Sequence, residues 1–384
     1  MTWNWQQPEW PTFTWDASAL LRAETQFVAH AGVQIGVSKH LSAQHLSEIR
    51  VELISEEATD TSAIEGEALD RDSVQSSIRK HLGLTTDRRR ASPAEAGIAE
   101  MTVELFEQAN QPLTEEVLFR WHRWVMNGRS DLADVGRYRT HAEPMQIVSG
   151  YVHAPKVHFE APPSASLERE MDLFWAWLEQ TSPDSPGRLP PLARAGIAHL
   201  WFESIHPFED GNGRIGRAIS EKLLAQGLPT PVVTGMSSTL LRHRKAYYRE
   251  LERAHRHLEI TDWLLWFAAK ALEAQQQTLV QIEFVLAKAR LMESVRSSIN
   301  ERQEKVLLRL FAAGPEGFKG GLSAANYMSI AHTPPATTTR DLAALVETGA
   351  LTRTGAGKST RYHLPIDVAP VHAIEPKDVA PTSR

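Results

Sequence analysis

His206–Arg217 reads HPFEDGNGRIGR, and these twelve residues decide both the local fold and the chemistry it can carry. The stretch before them, PLARAGIAHLWFESI, has a helical pattern that delivers His206 at its C-terminal end, where Pro207 stops it. Gly211, Gly213 and Gly216 permit a tight turn and let backbone N–H groups approach a ligand closely. A second helical pattern, IGRAISEKLLAQ, follows at once and closes at Gly227. The loop therefore empties onto a helix N-terminus, where free amides and the macrodipole favour anions. Arg214 and Arg217 stand three apart on the first turn, so they face roughly the same way and can fork phosphate oxygens. Asp210 adds one carboxylate, and a carboxylate plus phosphate oxygens is the usual Mg2+ arrangement. His206 is the nearby group whose ordinary pKa suits a general base. The residues thus describe a nucleotide or other polyphosphate on a glycine loop, with a metal and a histidine base. A GxxxxGK[ST] string and the protein-kinase signatures are both missing.

Outward from the loop, helical periodicity covers Ala17 to about Leu82, with Ser18 as the expected cap, then residues 94–128, then Ser166 to about Ala289. Between the last two, Gly136–Pro163 (GRYRTHAEPMQIVSGYVHAPKVHFEAPP) has short alternating runs broken by Gly150, Pro155 and Pro162, which predicts a β-hairpin inside a helical protein. Trp3, Trp5, Trp10 and Trp15, punctuated by Pro8 and Pro11, read as an extended aromatic strap packed on a larger body. From Glu301 to Leu364 the order is helix, short helix, longer helix and small hairpin, that of a winged helix-turn-helix. Residues 365–384 hold four prolines and few large apolar side chains, and predict a disordered end.

HPFEDGNGRIGR resembles the full signature of the Fic family, HPFx(D/E)GNGRxxR, at every fixed position, and the helices from about Leu118 to Lys270 resemble the whole Fic core. The resemblance implies an all-α fold with a small hairpin flap. It also implies transfer of AMP from ATP, with Mg2+, to a Ser, Thr or Tyr hydroxyl of a target protein. His206 would deprotonate that hydroxyl, and Asp210 would hold the metal. Gly211, Asn212 and Gly213 would form the anion hole. Arg214 would grip the β- and γ-phosphates and Arg217 the γ-phosphate, with Ile215 and Gly216 completing the phosphate-binding run. Val148, Ser149, Gly150 and Tyr151 lie where the family carries its flap, which aligns the target by strand addition. Tyr247 and Tyr248, in KAYYRELERAH, would contact the nucleoside. TSAIEG matches the inhibitory motif (S/T)xxxE(G/N), with Thr61, Glu65 and Gly66 in the fixed places; Glu65 would pair with Arg217 and block the γ-phosphate position. The aromatic start is similar to that of a bacterial Fic subgroup.

The expected organisation is residues 1–92 as strap and inhibitory helices, 93–290 as the Fic core, 291–365 as the winged helix and 366–384 as a tail. The chain of 384 residues has a net charge of −6, against a general nucleic-acid coat. It has no cysteine, which removes disulfide scaffolds, thiolate metal sites and cysteine nucleophiles. His153 and His158 lack partners at zinc-site spacing. No basic, then apolar leader pattern opens the chain and no run approaches the ~18 apolar residues that span a bilayer, so the expectation is a cytoplasmic protein without membrane partners. Arg340, Arg353, Lys358 and Arg361 give the C-terminal unit a modest basic face, which keeps DNA open as a partner, and a homodimer is a further one. Three other readings compete with the adenylyltransferase. One is a DNA-binding regulator that uses the Fic core as nucleotide sensor. Another is UMP or phosphocholine transfer on the same fold. The last is removal of AMP, with Glu65 orienting water.

Overall fold

The computed structural model describes all residues except 1, 40, 87–88, 152–153, 229–231, 316, 319, 369–370 and 382–384; His153 is therefore outside the described residues. Secondary structure is overwhelmingly helical. The order is α1 (Ala17–Ser38), α2 (Ala43–Ile64), α3 (Arg71–His81), α4 (Pro93–Glu107), α5 (Glu115–Val125), β1 (Gln146–Tyr151), β2 (Ala154–Glu160), α6 (Leu167–Gln180), α7 (Pro191–Ile205) and α8 (Asn212–Gln226). Then come α9 (Met236–Arg242), α10 (Arg244–Ala254), α11 (Thr261–Val295), α12 (Glu301–Phe311), α13 (Ala324–Ala331), α14 (Pro335–Glu347), β3 (Thr352–Thr354), β4 (Arg361–His363) and α15 (Pro376–Val379). Two compact units result: one of Met1–Leu41, Arg50–Gln276 and His372–Arg384, the other of Ser42–Ile49 and Gln277–Val371.

The larger unit is built around α7 and α8. Every residue of α7 from Leu192 to Ile205 is buried, and so are all but two of α8. α7 is apolar on nearly every side and has no solvent face, while α8 buries Arg214, Arg217, Glu221 and Lys222 against polar partners. Phe202 of α7 and Ile215 and Ile219 of α8 share one core with Phe174 and Phe208. The loop joining the two helices thus starts and ends on deeply buried helices. Asp16, not Ser18, caps α1: it stands two positions earlier, in extended backbone just outside the helix, and its carboxylate accepts the Ser18 N–H.

β1 and β2 pair antiparallel, with a bulge between Ile147 and Val148. Phe159 anchors the hairpin base. Trp3 packs edge-on against it at 5.2 Å, and Trp5 Nε1 donates to the Glu160 carbonyl at 2.6 Å. The strap continues onto α7, where Asn4 Nδ2 donates to Ser204 Oγ and Trp10 and Phe13 meet Trp201. The tail departs from expectation. Ile374 N–H donates to Glu273, α15 packs against α1, and Val379 is buried. Two apolar residues in a proline-rich stretch suffice because a preformed surface receives them.

The smaller unit has its own core of Val306, Leu307, Leu310, Phe311, Tyr327, Leu342, Leu345 and Leu351. Helices α12, α13 and α14 are followed by the antiparallel pair β3–β4, in the order the sequence predicts. Asp341 is turned inward, where Arg302 and Tyr327 bind it. Among the described residues no helix is long and apolar enough to cross a membrane.

Candidate active site

His206 ends α7 in a left-handed conformation, φ 50° and ψ 60°. That region is sparsely used by non-glycine residues and persists where surroundings enforce it. Arg139 does so. Its Nε donates to the His206 carbonyl at 2.9 Å, its N–H donates to the Pro207 carbonyl at 2.9 Å, and its other nitrogens reach Pro162 O and Ser164 Oγ. One buried guanidinium therefore ties the loop to the chain leaving the hairpin. Burial, aided by the charge of Arg139, pushes the His206 imidazole down to about 4. The ring is neutral at pH 7 and free to take a proton. Its Nδ1 lies 3.7 Å from Glu203 Oε2, beyond hydrogen-bond length. Burial raises Glu203 to about 8, so this carboxyl is protonated and adds no charge beside the imidazole.

Asn212 closes the loop on itself: Oδ1 accepts the Phe208 N–H and Nδ2 donates to the Phe208 carbonyl. Its side chain is thereby committed to the turn, while the amides of Asn212, Gly213 and Arg214 stand at the first turn of α8, where no intrahelical acceptor exists. Gly211 makes the turn with φ 81°, and a Cβ there would meet Met126 Cε at 2.9 Å. His122 supports the loop from below, stacked on Phe208 at 3.9 Å. The Gly136 N–H donates to His122 Nδ1, so Nε2 carries the hydrogen and donates to the Asp210 carbonyl at 3.1 Å.

The Asp210 carboxylate accepts from Arg129 Nη1 at 2.6 Å and from the Gly211 N–H at 2.5 Å. Burial opposes its ionisation, but these contacts outweigh burial and hold it below the ordinary carboxylate value. An ionised, half-exposed oxygen donor beside a phosphate cradle suits a hard cation that keeps waters and phosphate oxygens as its other ligands. Among the described residues no group of three or more His, Asp or Glu gathers as a metal cage.

Both loop arginines are occupied. Arg217, 1% exposed, pairs through Nη2 with Glu65 Oε1 at 2.8 Å, and Nε donates to Thr61 Oγ1 at 2.8 Å. Arg214 Nη1 pairs with Glu67 Oε2 at 2.7 Å. The route is local: α2 stops at Ile64, Gly66 turns the chain with φ 86°, and the residues on either side of it face the loop. Gly213 leaves the room, since a Cβ there would overlap Glu65 Oε1. Burial disfavours the Glu65 charge, yet Arg217 and Arg214 hold the carboxyl below its usual range. Tyr248 Oη donates to Glu65 Oε2 at 3.3 Å.

The geometry thus brings His206, Asp210, Gly211, Asn212, Gly213, Arg214, Arg217, Thr61, Glu65, Gly66 and Tyr248 together. It does not bring Ile215, Gly216 or Tyr247. Ile215 is fully buried and Gly216 lies against Phe202 and Glu203, because positions four and five of α8 turn toward α7. Tyr247 is 1% exposed with its hydroxyl on His199; adjacent residues on a helix point about 100° apart, so only Tyr248 faces the loop. Val148 and Ser149 are exposed on β1, with Gly150 and Tyr151 in the same strand. Sequence reasoning passed over Glu67, Arg129, Arg139 and Glu203.

Residues 112–224 match the Fic/DOC family, and residues 3–84 match a domain of unknown function, DUF4172. The chain carries a Fic domain. Its strap, α1, α2 and α3 fall in the second match, so the residues that occupy the Fic arginines lie in that domain. A protein adenylyltransferase Fic from Nematostella vectensis is 29% identical over 161 residues, 42% of this chain and 33% of that protein. A uridine 5′-monophosphate transferase from Xanthomonas campestris is 37% identical over 82 residues, 21% of this chain and 15% of that protein. The matches thus span a third or less of these relatives. A crystal structure of a Fic family protein from Desulfovibrio desulfuricans is similar in fold, with a TM-score of 0.52 and 23% identity over 92% of this chain and 98% of that one.

Proposed function

We propose that this protein transfers AMP from ATP to a Ser, Thr or Tyr hydroxyl of another protein and is held inactive by Glu65 on Arg217. The observation that carries this is the convergence of a neutral His206, an ionised Asp210 and two arginines on one helix N-terminus, each arginine already gripping a carboxylate. A site built for carboxylates at those two positions is a site for phosphate oxygens.

His206 receives the proton of the acceptor hydroxyl. The amides of the first turn of α8 face the phosphates. Arg214 and Arg217 take the terminal phosphates once Glu67 and Glu65 have moved away. Asp210 would hold a divalent cation, which supplies charge neutralisation on the phosphates. The flap, Val148–Tyr151, offers an exposed strand for the target segment. Tyr248 at the rim is the aromatic face available to the base; its ring also receives Arg244 at 5.7 Å.

The same groups serve a uridylyl donor equally well, and the Xanthomonas similarity favours testing one. Full-length protein is incubated with lysate and with ATP or UTP labelled at the α-phosphate, beside His206→Ala. Label from ATP that depends on His206 supports the reading. Label from UTP alone replaces the donor, and no label from either, with Glu65→Gly included, removes the transferase.

A further inference from the structure

Away from the glycine loop, three side chains of the hairpin and α10 form a relay. Ser149 Oγ lies 2.6 Å from His158 Nε2, and His158 Nδ1 lies 2.9 Å from Glu252 Oε2. The carboxylate can only accept, so Nδ1 carries the hydrogen and Nε2 is the acceptor for the serine proton. A nucleophile on a base that a third group orients is the arrangement that activates serine hydroxyls. The backbone makes a specific provision for it. The ladder pairs Ile147 with Phe159 and Val148 with Val157, leaving His158 as the extra residue of a bulge. Bulges re-aim side chains, and this one brings His158 to Ser149, whose own ladder partner is Lys156. Ser149 is exposed, so an electrophile can reach it.

We propose that Ser149 is an activated nucleophile and a self-modification site, with His158 as its base and Glu252 as the positioning residue. Its Oγ bonds to the α-phosphorus of a nucleoside triphosphate and its proton passes to His158 Nε2. The bond from that phosphorus to the bridging oxygen breaks, and pyrophosphate leaves with the electron pair. The donor rests on the nucleotidyl-transfer reading above; the acceptor rests on the hairpin geometry alone.

Two arms test it on the full chain. In the first, a fluorophosphonate probe is added and the labelled residue is mapped by mass spectrometry. The expected result is label on Ser149, falling by about 10²-fold or more in His158→Gln and by less in Glu252→Gln, with unchanged melting. Label elsewhere, or an unchanged rate in His158→Gln, overturns the relay. In the second, Glu65→Gly is given ATP with and without lysate. A nucleotidyl ester on Ser149, lost in Ser149→Ala, supports the proposal. Labelled lysate proteins without a Ser149 ester overturn the proposal and leave the transferase reading standing. No label on anything overturns both.

Discussion

The His206 side chain is poised by what surrounds it rather than by its own chemistry. Arg139 pins its carbonyl, burial keeps its ring neutral, and the loop that follows turns on Gly211. Replacing His206 with Ala removes the base and leaves the phosphate contacts, so transfer is expected to fall ~10²–10⁴-fold while ATP affinity is largely kept. Transfer at the wild-type rate would remove His206 from the reaction. Arg214→Ala is expected to weaken ATP binding, and the loss should shrink at high salt because the contact is ionic. Calorimetry at low and high salt reads this directly, and unchanged low-salt affinity would take Arg214 out of the phosphate site. At this scale the sequence was legible where a motif fixes residue type and spacing together, as in His206, Asp210, Arg214, Arg217 and Glu65. It was not legible for Glu67, which three residues beyond a helix end reads as one more solvated acid. Arg139 and Arg129 were hidden for another reason: an arginine bound to a carbonyl or a loop carboxylate far along the chain has no local pattern.

The C-terminal half of α2 leads into the Glu65 carboxylate and carries a separate anchor, Glu57. Glu57 accepts the Ser237 N–H at 3.0 Å and the Ser237 hydroxyl, while Glu221 of α8 accepts the Thr234 and Met236 amides. Burial raises both carboxyls, Glu57 to about 8, helped by the charge of Glu221, and Glu221 to about 7. The native state therefore holds protons that the unfolded chain releases above its ordinary carboxylate pKa near 4.5. The sign follows: stability is greatest at mildly acid pH and falls as pH rises through the window up to about 8. Glu57→Gln keeps a hydrogen-bonding group and cannot ionise, so it should flatten this dependence and raise Tm at pH 8 by ~2–4 °C, about 1 kcal/mol. A pH–Tm profile for the variant that runs parallel to wild type would show that Glu57 does not titrate in this window. The hairpin was legible as an element from its glycine and proline breaks. Its bulge was not, because two-strand register is set by what packs underneath, here Trp3 on Phe159.

The larger unit places the strap, the Thr61–Glu67 segment and the Fic core on the buried pair α7–α8, so one buried framework carries the loop, the hairpin base and the acids that cover the arginines. The order of helices followed from periodicity; the folding back of the tail onto α1 did not, since its apolar residues are few and their receiving surface is assembled from distant segments. The proposed inhibition is a competition between Glu65 and the terminal phosphate for Arg217. The direct test is the initial rate of protein labelling from α-labelled ATP by wild type, Glu65→Gly and Arg217→Ala at equal concentration. Freed of its competitor, Glu65→Gly should label at least ~10-fold faster than wild type, the scale of a lost charge-assisted contact of about 1.5–3 kcal/mol. Arg217→Ala should gain nothing, since it removes the inhibitor's partner and the phosphate's together. Equal rates for wild type and Glu65→Gly, or a gain in Arg217→Ala, would contradict the account.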